Sequence, residues 1–518
     1  MIRIVFRADA SFRIGSGHIN RCLTLARTLV MSNGKVDIEF ICSNFPGNLS
    51  QFISEKGFKV NVIDDFDSME NKSIKETGTG NYYQHESLDI NQDAVETIRI
   101  LKSLQQPIDW LIVDHYSIDA RWEILLREHV KYIMVVDDLA NRRHLCDILL
   151  DQNYSTEYER YDTLVPKDCL KLLGSRFALI KPEFSFTRIR QMKSCELIKQ
   201  GLIKNVVILF GGSDLSNETC KALEAIKQSD LALNSLVIIV GKSNPNTEEI
   251  KNLIKGLEYA NLLIQIENVY DYMAEADLAI GAGGSTALER CCLGVPGLVI
   301  TTAENQEYVA QTLARKGAHL LLGESSAVTV STIKQSLNVL HRSPQLVNHM
   351  SQVALKIVDG LGVFRVSNNI LNIRISIKIA TLQDSEDLYR WRNSERIREF
   401  SFNTQIISRR EHEKWLHSVI DDNQRVLLIA SNESQPIGVL RYDLNGESAI
   451  ISMYVVPEQI GKGLGSLIIK AGNEWIHDNL PHINSIEAQI FQDNIPSIKA
   501  FEKAGFKADC FSYFYRFK

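Results

Sequence analysis

No run of about 18 apolar residues occurs anywhere in this 518-residue chain, so no bilayer-crossing helix is expected. The chain opens directly on a strand-like pattern, without the charged and apolar regions of a signal peptide, which predicts a soluble cytoplasmic protein. Clustered positive charge is also missing. Against 63 Asp and Glu stand 57 Lys and Arg, scattered along the chain at a net charge of -6, so neither nucleic acid nor a membrane surface is an expected partner. The nine cysteines form no CxxC pair, and Cys22 and Cys292 sit among apolar helix-patterned residues, as reduced core thiols do. No His, Cys or carboxylate group has zinc-ligand spacing, and no metal is expected. Small-molecule chemistry is left, in a chain whose 45% hydrophobic content can fill the cores of roughly three domains.

Up to about residue 180, strand-like runs at 2–7, 110–114, 132–136 and 148–150 alternate with helical stretches, the pattern of a parallel, helix-covered sheet. A polar insert from about Asp64 to Asp93, including Gly78-Thr79-Gly80-Asn81, reads as a long loop with some helix. A mixed-charge segment from Glu183 to Lys204 precedes a second series that opens at 205–210 and continues at 278–280. After about residue 376 the strands shorten, and Asn445-Gly446 between two of them signals a hairpin. The expected architecture is two Rossmann-like α/β halves, 1–180 and 181–358, a linker or docking segment at 359–375, and an α+β domain at 376–518.

Three glycine turns follow strands in the first two series. Gly15-Ser16-Gly17-His18 leads into a helix whose apolar positions Ile19, Cys22, Leu23, Ala26, Leu29 and Val30 mark one buried face. Gly211-Gly212-Ser213-Asp214 precedes a helix containing Leu223 and Ile226, and Gly281-Ala282-Gly283-Gly284-Ser285-Thr286 precedes another. Glycine lets the backbone approach a ligand closely, and unpaired amides at a helix start attract anionic oxygens. Such turns lie beyond the carboxyl ends of the strands, so the cleft between the halves is the predicted site. His18 is suited to proton transfer because imidazole titrates near pH 6.5. A helix dipole favours neutral imidazole and a neighbouring diphosphate the imidazolium, so the residues alone leave its charge open.

The string Arg7-Ala8-Asp9-Ala10-Ser11, Gly15-Ser16-Gly17-His18 and Arg21-Cys22-Leu23 resembles the pseudaminic-acid pathway hydrolases that remove UDP from UDP-2,4-diacetamido-2,4,6-trideoxy-β-L-altropyranose. Those enzymes are related in fold to two-domain GT-B glycosyltransferases. The resemblance runs to about residue 355, through Val113-Asp114-His115-Tyr116, 147–153, the turn up to Glu289, and Ala303-Glu304-Asn305-Gln306. It implies that His18 is the catalytic residue and activates water. Gly17, Arg21, Gly212, Ser213, Gly284, Ser285 and Thr286 are expected at the substrate, the last two cradling the diphosphate, with Glu289 accepting from ribose hydroxyls. Tyr116 and Asn305 match positions lining the sugar pocket, or serve as a capping aromatic and a helix N-cap. Asp9 and Arg21 either pair with each other or contact substrate.

In the last domain, Val455-Val456-Pro457-Glu458-Gln459-Ile460-Gly461-Lys462-Gly463-Leu464-Gly465 follows a strand and leads into a helix, placing successive amides to hold a pyrophosphate. A Walker-type loop is absent. With Asn494-Ile495-Pro496-Ser497, Phe501 and Gly505-Phe506, the region resembles the Gcn5-related N-acetyltransferases (GNAT). Trp391-Arg392-Asn393, Ile397-Arg398 and His412-Glu413-Lys414-Trp415 narrow the likeness to acetyltransferases of amino sugars. The resemblance implies acetyl-CoA as co-substrate, held by Val455, Gly461, Gly463, Gly465, Asn494 and Ser497, and a UDP-amino-sugar as partner. Ile460 stands where Arg or Gln is usual, and Phe501 where many relatives have a tyrosine acid. Two alternatives stay open: a GT-B glycosyltransferase in which His18 deprotonates an acceptor hydroxyl, and a last domain that binds CoA without turnover.

Overall fold

A computed structural model describes the chain except residues 12–13, 33–34, 64–88, 156, 194–202, 372–374, 402, 433–434, 492 and 507–518. Most of the polar insert, with its Gly78-Thr79-Gly80-Asn81, lies outside the described residues; Ile90–Ser103 is a helix. The chain divides into two compact units, Met1–Leu371 and Asn372–Lys518.

The first unit holds two parallel sheets. The strands of the first are β1 (Ile2–Ala8), β2 (Val36–Ser43), β3 (Lys59–Ile63), β4 (Ile108–Asp114), β5 (Val130–Val136), β6 (Ile148–Asp151) and β7 (Leu170–Leu173), in the order β3-β2-β1-β4-β5-β6-β7. Because helices cover both faces, the central strands read as continuous apolar runs, and Ile4, Val5 and Phe6 of β1 are fully buried. The order reverses between β1 and β4, a topological switch point that opens a crevice beyond the strands' carboxyl ends.

The second sheet consists of β8 (Asn205–Leu209), β9 (Ser235–Val240), β10 (Ala260–Ile264), β11 (Leu278–Ala282), β12 (Gly297–Thr301) and β13 (Leu320–Glu324), ordered β10-β9-β8-β11-β12-β13. Side-chain alternation divides its core in two. Val206, Ile208 and Ile280 pack with Leu223 and Ile226 on one face, while Val207, Leu209 and Ala279 pack with Phe184, Leu288 and Leu313 on the other. The segment expected as a linker or docking stretch holds a helix, Gly362–Ile370, that packs on the Gly17–Ser32 helix. Its Val363, Phe364 and Val366 are fully buried, so up to residue 370 this stretch is docked within the first unit.

The second unit is built on β14 (Ile375–Ile379), β15 (Arg425–Asn432), β16 (Gln435–Asn445), β17 (Ser448–Val455) and β18 (Ser485–Ala488). Its pairings are antiparallel except β17 with β18. Gly446, at φ 61, makes the tight β16–β17 turn that the Asn-Gly pair predicts. β18 pairs only as far as Ile451↔Ala488, so the last four residues of β17 lose their neighbour on that side and a wedge opens beside Val455.

Candidate active sites

At the carboxyl edge of the first sheet, Asp114 ends β4 beside Ala8 of β1, so it meets the helix that starts at Gly17. His18 is buried there, and its Nδ1 lies 2.5 Å from Asp114 Oδ1. Arg21, one turn on, donates through Nε and Nη2 to the two oxygens of Asp114, both at 2.6 Å. Burial alone would raise the Asp114 carboxyl, but Arg21 and then His18 hold it far below the carboxylate range. An ionised Asp114 accepts a hydrogen bond from Nδ1–H, which fixes the tautomer and leaves Nε2 as the acceptor nitrogen of the imidazole. The expected pairing of Asp9 with Arg21 is absent. Arg21 is held by Asp114, while Asp9 pairs with Arg7 at 2.7 Å and accepts from the amide of Ser43. The reason is strand alternation: Arg7 and Asp9 project to the sheet face opposite Ala8 and the Gly17 helix.

Behind them, His115 Nδ1 accepts from the Ser117 amide, so its Nε2 carries the proton facing Asp9 at 3.3 Å. Arg7 also pairs with Asp93 at 2.6 Å, completing a buried charge network. Further along the same edge, Asp138 receives Arg21 Nη1 at 3.4 Å. Asp151 is pushed up to about 6 by burial, which the Arg160 ion pair only partly offsets.

Tyr116 and Asn305 meet across the halves. The His18 ring stands edge-on to Tyr116 at 4.6 Å between centroids, and Asn305 Nδ2 donates to Tyr116 Oη at 3.1 Å. Neither cap reading holds for Asn305, since Ala303 and Gln306 occupy the N-cap positions there and its side chain reaches the facing half. Burial, with Asp138 next, raises the Tyr116 phenol far above its usual range, so it stays protonated.

On the second sheet, the Ser285–Cys292 helix begins after Gly284 with no side-chain cap on its first amides, and Ser285 is exposed. Glu289, one turn in, is partly buried and pushed up to about 7 by desolvation, opposed only by Lys181. The other turn, at 211–213, differs from expectation. Its helix starts at Glu218, and Asp214 accepts from the amides of Glu218 and Thr219 at 3.0 and 2.9 Å, so the helix start is already capped. Gly212 and Ser213 therefore offer only the turn itself, braced where the Gly241 amide donates to the Gly212 carbonyl at 3.1 Å.

In the second unit, Gly461 and Gly463 adopt φ 88 and 70, and Gly465 starts a helix without side-chain capping. Val455 lies at the wedge between β17 and β18. Asn494 Oδ1 accepts from the Ser497 amide, capping the Ile495–Lys503 helix. Phe501 is buried among Leu464, Ile468 and Phe506, its ring edge-on to Phe506 at 5.0 Å, as a core residue. Among the described residues no His, Cys, Asp and Glu side chains converge as a metal-binding group, and no helix is long and apolar enough to cross a membrane.

Sequence reasoning passed over two charged groups: Asp114 as the partner of His18, and Lys181. For Asp114 a signal existed, because a carboxylate ending an apolar strand falls at the ligand edge of a parallel sheet.

The first unit's two parallel-sheet halves are GT-B-like in architecture, and the second unit is a GNAT-type sheet. Residues 206–361 match the glycosyltransferase family 28 C-terminal domain, and 374–507 match the acetyltransferase (GNAT) domain. Over 318 residues the chain is 26% identical to the UDP-2,4-diacetamido-2,4,6-trideoxy-beta-L-altropyranose hydrolase of Campylobacter jejuni, covering 61% of this chain and 97% of that protein. An uncharacterized protein of Methanocaldococcus jannaschii is 24% identical over 520 residues, 98% of this chain and 97% of its own. The crystal structure of Acinetobacter baumannii MurG covers 72% of this chain and all of its own, at 14% identity and a TM-score of 0.47. The chain thus joins a region homologous to pseudaminic-acid pathway hydrolases to a GNAT acetyltransferase domain.

Proposed function

We propose that the protein is a bifunctional enzyme of UDP-amino-sugars. The first unit hydrolyses UDP-2,4-diacetamido-2,4,6-trideoxy-β-L-altropyranose to free sugar and UDP, and the second N-acetylates the 4-amine of the precursor from acetyl-CoA. The observation that carries the first reaction is the buried Asp114–His18 contact at the sugar end of the cleft. With Nδ1–H held by the carboxylate, His18 Nε2 takes a proton from water, and hydroxide attacks the anomeric carbon. The C–O bond to the diphosphate breaks and UDP leaves with the electron pair. Asp114 stabilises the imidazolium formed, and the uncapped amides of the Ser285 helix, with Gly284, Ser285 and Thr286, receive the departing phosphate charge. Glu289 accepts from the ribose hydroxyls, and Tyr116, Asn305, Gly17 and Arg21 enclose the sugar.

For the second reaction, the left-handed glycines 461 and 463, Gly465 and the wedge at Val455 fit a pyrophosphate and its pantetheine arm. Asn494 and Ser497 face the same bound co-substrate. Acetyl-CoA supplies the acyl group; the buried phenyl ring of Phe501 cannot supply the proton that its thiolate takes, so water or the amine's own proton serves.

Incubating the full-length protein with acetyl-CoA and the UDP-4-amino-sugar, while following free thiol and UDP, tests both activities. His18→Ala is expected to lose UDP release and keep thiol release. UDP appearing only when an acceptor sugar is added would make the first unit a glycosyltransferase, the reading that the family 28 match favours.

A further inference from the structure

Asp114 ends β4, and Asp138 lies two residues beyond the neighbouring β5, yet the two carboxylates are satisfied very differently. Asp114 receives His18 at 2.5 Å and Arg21 twice at 2.6 Å, on both oxygens. Asp138 receives two long bonds, both on Oδ2: Arg21 Nη1 at 3.4 Å and Asn153 Nδ2 at 3.3 Å. Its Oδ1 is buried and accepts no hydrogen bond among the described residues, although a carboxylate has room for about four. The neighbouring cations do not make up the deficit. Arg142 is held by Asp137 at 2.7 Å and Arg160 by Asp151 at 2.6 Å, and Arg160 gives Asp138 only a bond to its backbone carbonyl, at 2.8 Å. Arg21 is therefore shared between two carboxylates, and an acceptor is left open in a place where an unmet hydrogen bond is costly.

The sheet register says what lies in front of it. Val113 of β4 pairs with Val135 of β5, which carries Tyr116 and Asp138 to the same level three residues further on. Tyr116 reaches Asn305 of the facing half at 3.1 Å, so this level of the edge is enclosed between the halves. A buried acceptor there serves a ligand enclosed with it. A hexose with two acetamido groups brings three donors, the two amide N–H groups and the hydroxyl between them. Asp114 is saturated and His18 Nε2 is reserved for water, which leaves Asp138 Oδ1 open to one of those donors.

We propose that Asp138 is a specificity-determining residue for the hexose: its Oδ1 accepts from one of the three sugar donors. The inference rests on the UDP-sugar reading above. The test is steady-state UDP release by the full-length protein from UDP-2,4-diacetamido-2,4,6-trideoxy-β-L-altropyranose and from three analogues, each with one donor removed. Two are N-methylated, at the 2- or the 4-acetamido group, and the third is 3-deoxy. Wild type is expected to lose about 10- to 100-fold in kcat/KM on at least one of them, the worth of a hydrogen bond to a buried charge. In Asp138→Asn, an amide that keeps its oxygen on Arg21 and Asn153 presents Nδ2 in place of Oδ1, and so donates where the sugar donates. That variant is expected to lose a similar factor on the full substrate and nothing further on the same analogue. It should bind UDP alone within about twofold of wild type by calorimetry, which also reports that it is folded. An equal loss on the full substrate and on all three analogues would assign Asp138 to holding Arg21 and overturn the proposal. So would wild type that turns over every analogue as well as the full substrate, a result that needs no variant. No UDP release by wild type from the full substrate overturns the UDP-sugar reading itself, so the two failures are distinct.

Discussion

Replacing Asp114 by Asn tests the proton chemistry most directly, because the change is nearly isosteric and removes only the charge and one acceptor. In the native site both carboxylate oxygens are engaged by Arg21 at 2.6 Å, and one also faces His18 Nδ1 at 2.5 Å. An asparagine amide turned toward Nδ1 donates instead of accepting, which moves the imidazole proton to Nε2 and removes the base. By analogy with the serine-protease triad, where the same substitution drops kcat about 10⁴-fold through the wrong tautomer, a loss of about 10³- to 10⁴-fold in kcat is expected. That corresponds to about 4–5 kcal/mol of transition-state stabilisation at 1.36 kcal/mol per decade. A second cost is structural. The Arg21 side chain is only 10% exposed, and leaving it against a neutral partner costs about 3–5 kcal/mol, moderated by Asp138 at 3.4 Å. Steady-state UDP release, circular dichroism and a thermal melt separate the two effects. UDP affinity should stay within about twofold, since the proposed nucleotide contacts lie on the other sheet. A folded Asp114→Asn protein with kcat within about threefold of wild type would refute the reasoning.

Three further outcomes follow from the geometry. In Gly241→Ala the new Cβ would lie 2.4 Å from the Gly212 carbonyl oxygen and 2.7 Å from its Cα. The 211–213 turn must shift, so KM for the UDP-sugar should rise about tenfold, about 1.4 kcal/mol, with kcat little changed; an unaltered KM would count against that turn as part of the site. His144, buried against Glu123 and Asp137, is lowered by burial but raised overall, by the Asp137 carboxylate 3.9 Å from Nε2 and the Glu123 carboxylate bonded to Nδ1, to about 9. Since the folded value lies above the unfolded 6.5, its stabilisation is complete below about pH 6.5 and disappears as pH rises through about 9, on the order of 3 kcal/mol. Urea midpoints should fall between pH 7 and 10, and less so in His144→Gln. Phe501→Ala should destabilise the second unit by about 3–5 kcal/mol through the lost ring packing, whereas Phe501→Tyr should raise acetyl transfer about tenfold where thiolate protonation is limiting. Thermal melts and thiol release measure the two, and an unchanged rate in the tyrosine variant would show that no acid is missing.

The strands at 2–7, 110–114, 205–210 and 278–280 were legible because a parallel sheet buried on both faces demands continuous apolar runs, and glycine turns mark the ligand ends of the first and the last two. Which strands become neighbours was not legible, and the site depends on it. Asp114 and His18 are 96 residues apart and meet only because β1 and β4 pair, a fact that periodicity along either strand does not contain. Asp9 and Arg21 looked like partners because they are near in sequence, but they diverge to opposite faces of the sheet. The capping of the Glu218 helix by Asp214 was hidden for a local reason, since a turn before a helix reads the same whether its amides are free or taken. Residues 362–370 carry an apolar face that packs on the Gly17–Ser32 helix, more than 300 residues earlier, and on the 175–177 turn.

The two carboxyl edges of the first unit carry opposite kinds of polarity, and the proposed hydrolysis gives a physical reason. The first edge is dense in ionised groups that hold one another: Arg7 with Asp9 and Asp93, Arg21 with Asp114, Arg160 with Asp151. A base must be aimed to within a fraction of an ångström, and a satisfied charge network in a dry interior resists displacement better than exposed side chains do. The second edge presents glycines, hydroxyls and the uncapped amides of the Ser285 helix, with Glu289 one turn in and the Asp214 carboxylate spent on capping the Glu218 helix. Backbone dipoles stabilise a developing diphosphate without reorganising, yet hold the free product less tightly than paired arginines would, which favours turnover. Substitutions should accordingly sort by edge: those at His18, Asp114 and Arg21 should lower kcat, and those at Ser285, Thr286 and Glu289 should raise KM and weaken inhibition by UDP. A Thr286→Val or Ser285→Ala protein that lost kcat at unchanged KM would show that the second edge acts on the transition state alone, and the division of labour between the halves would have to be abandoned.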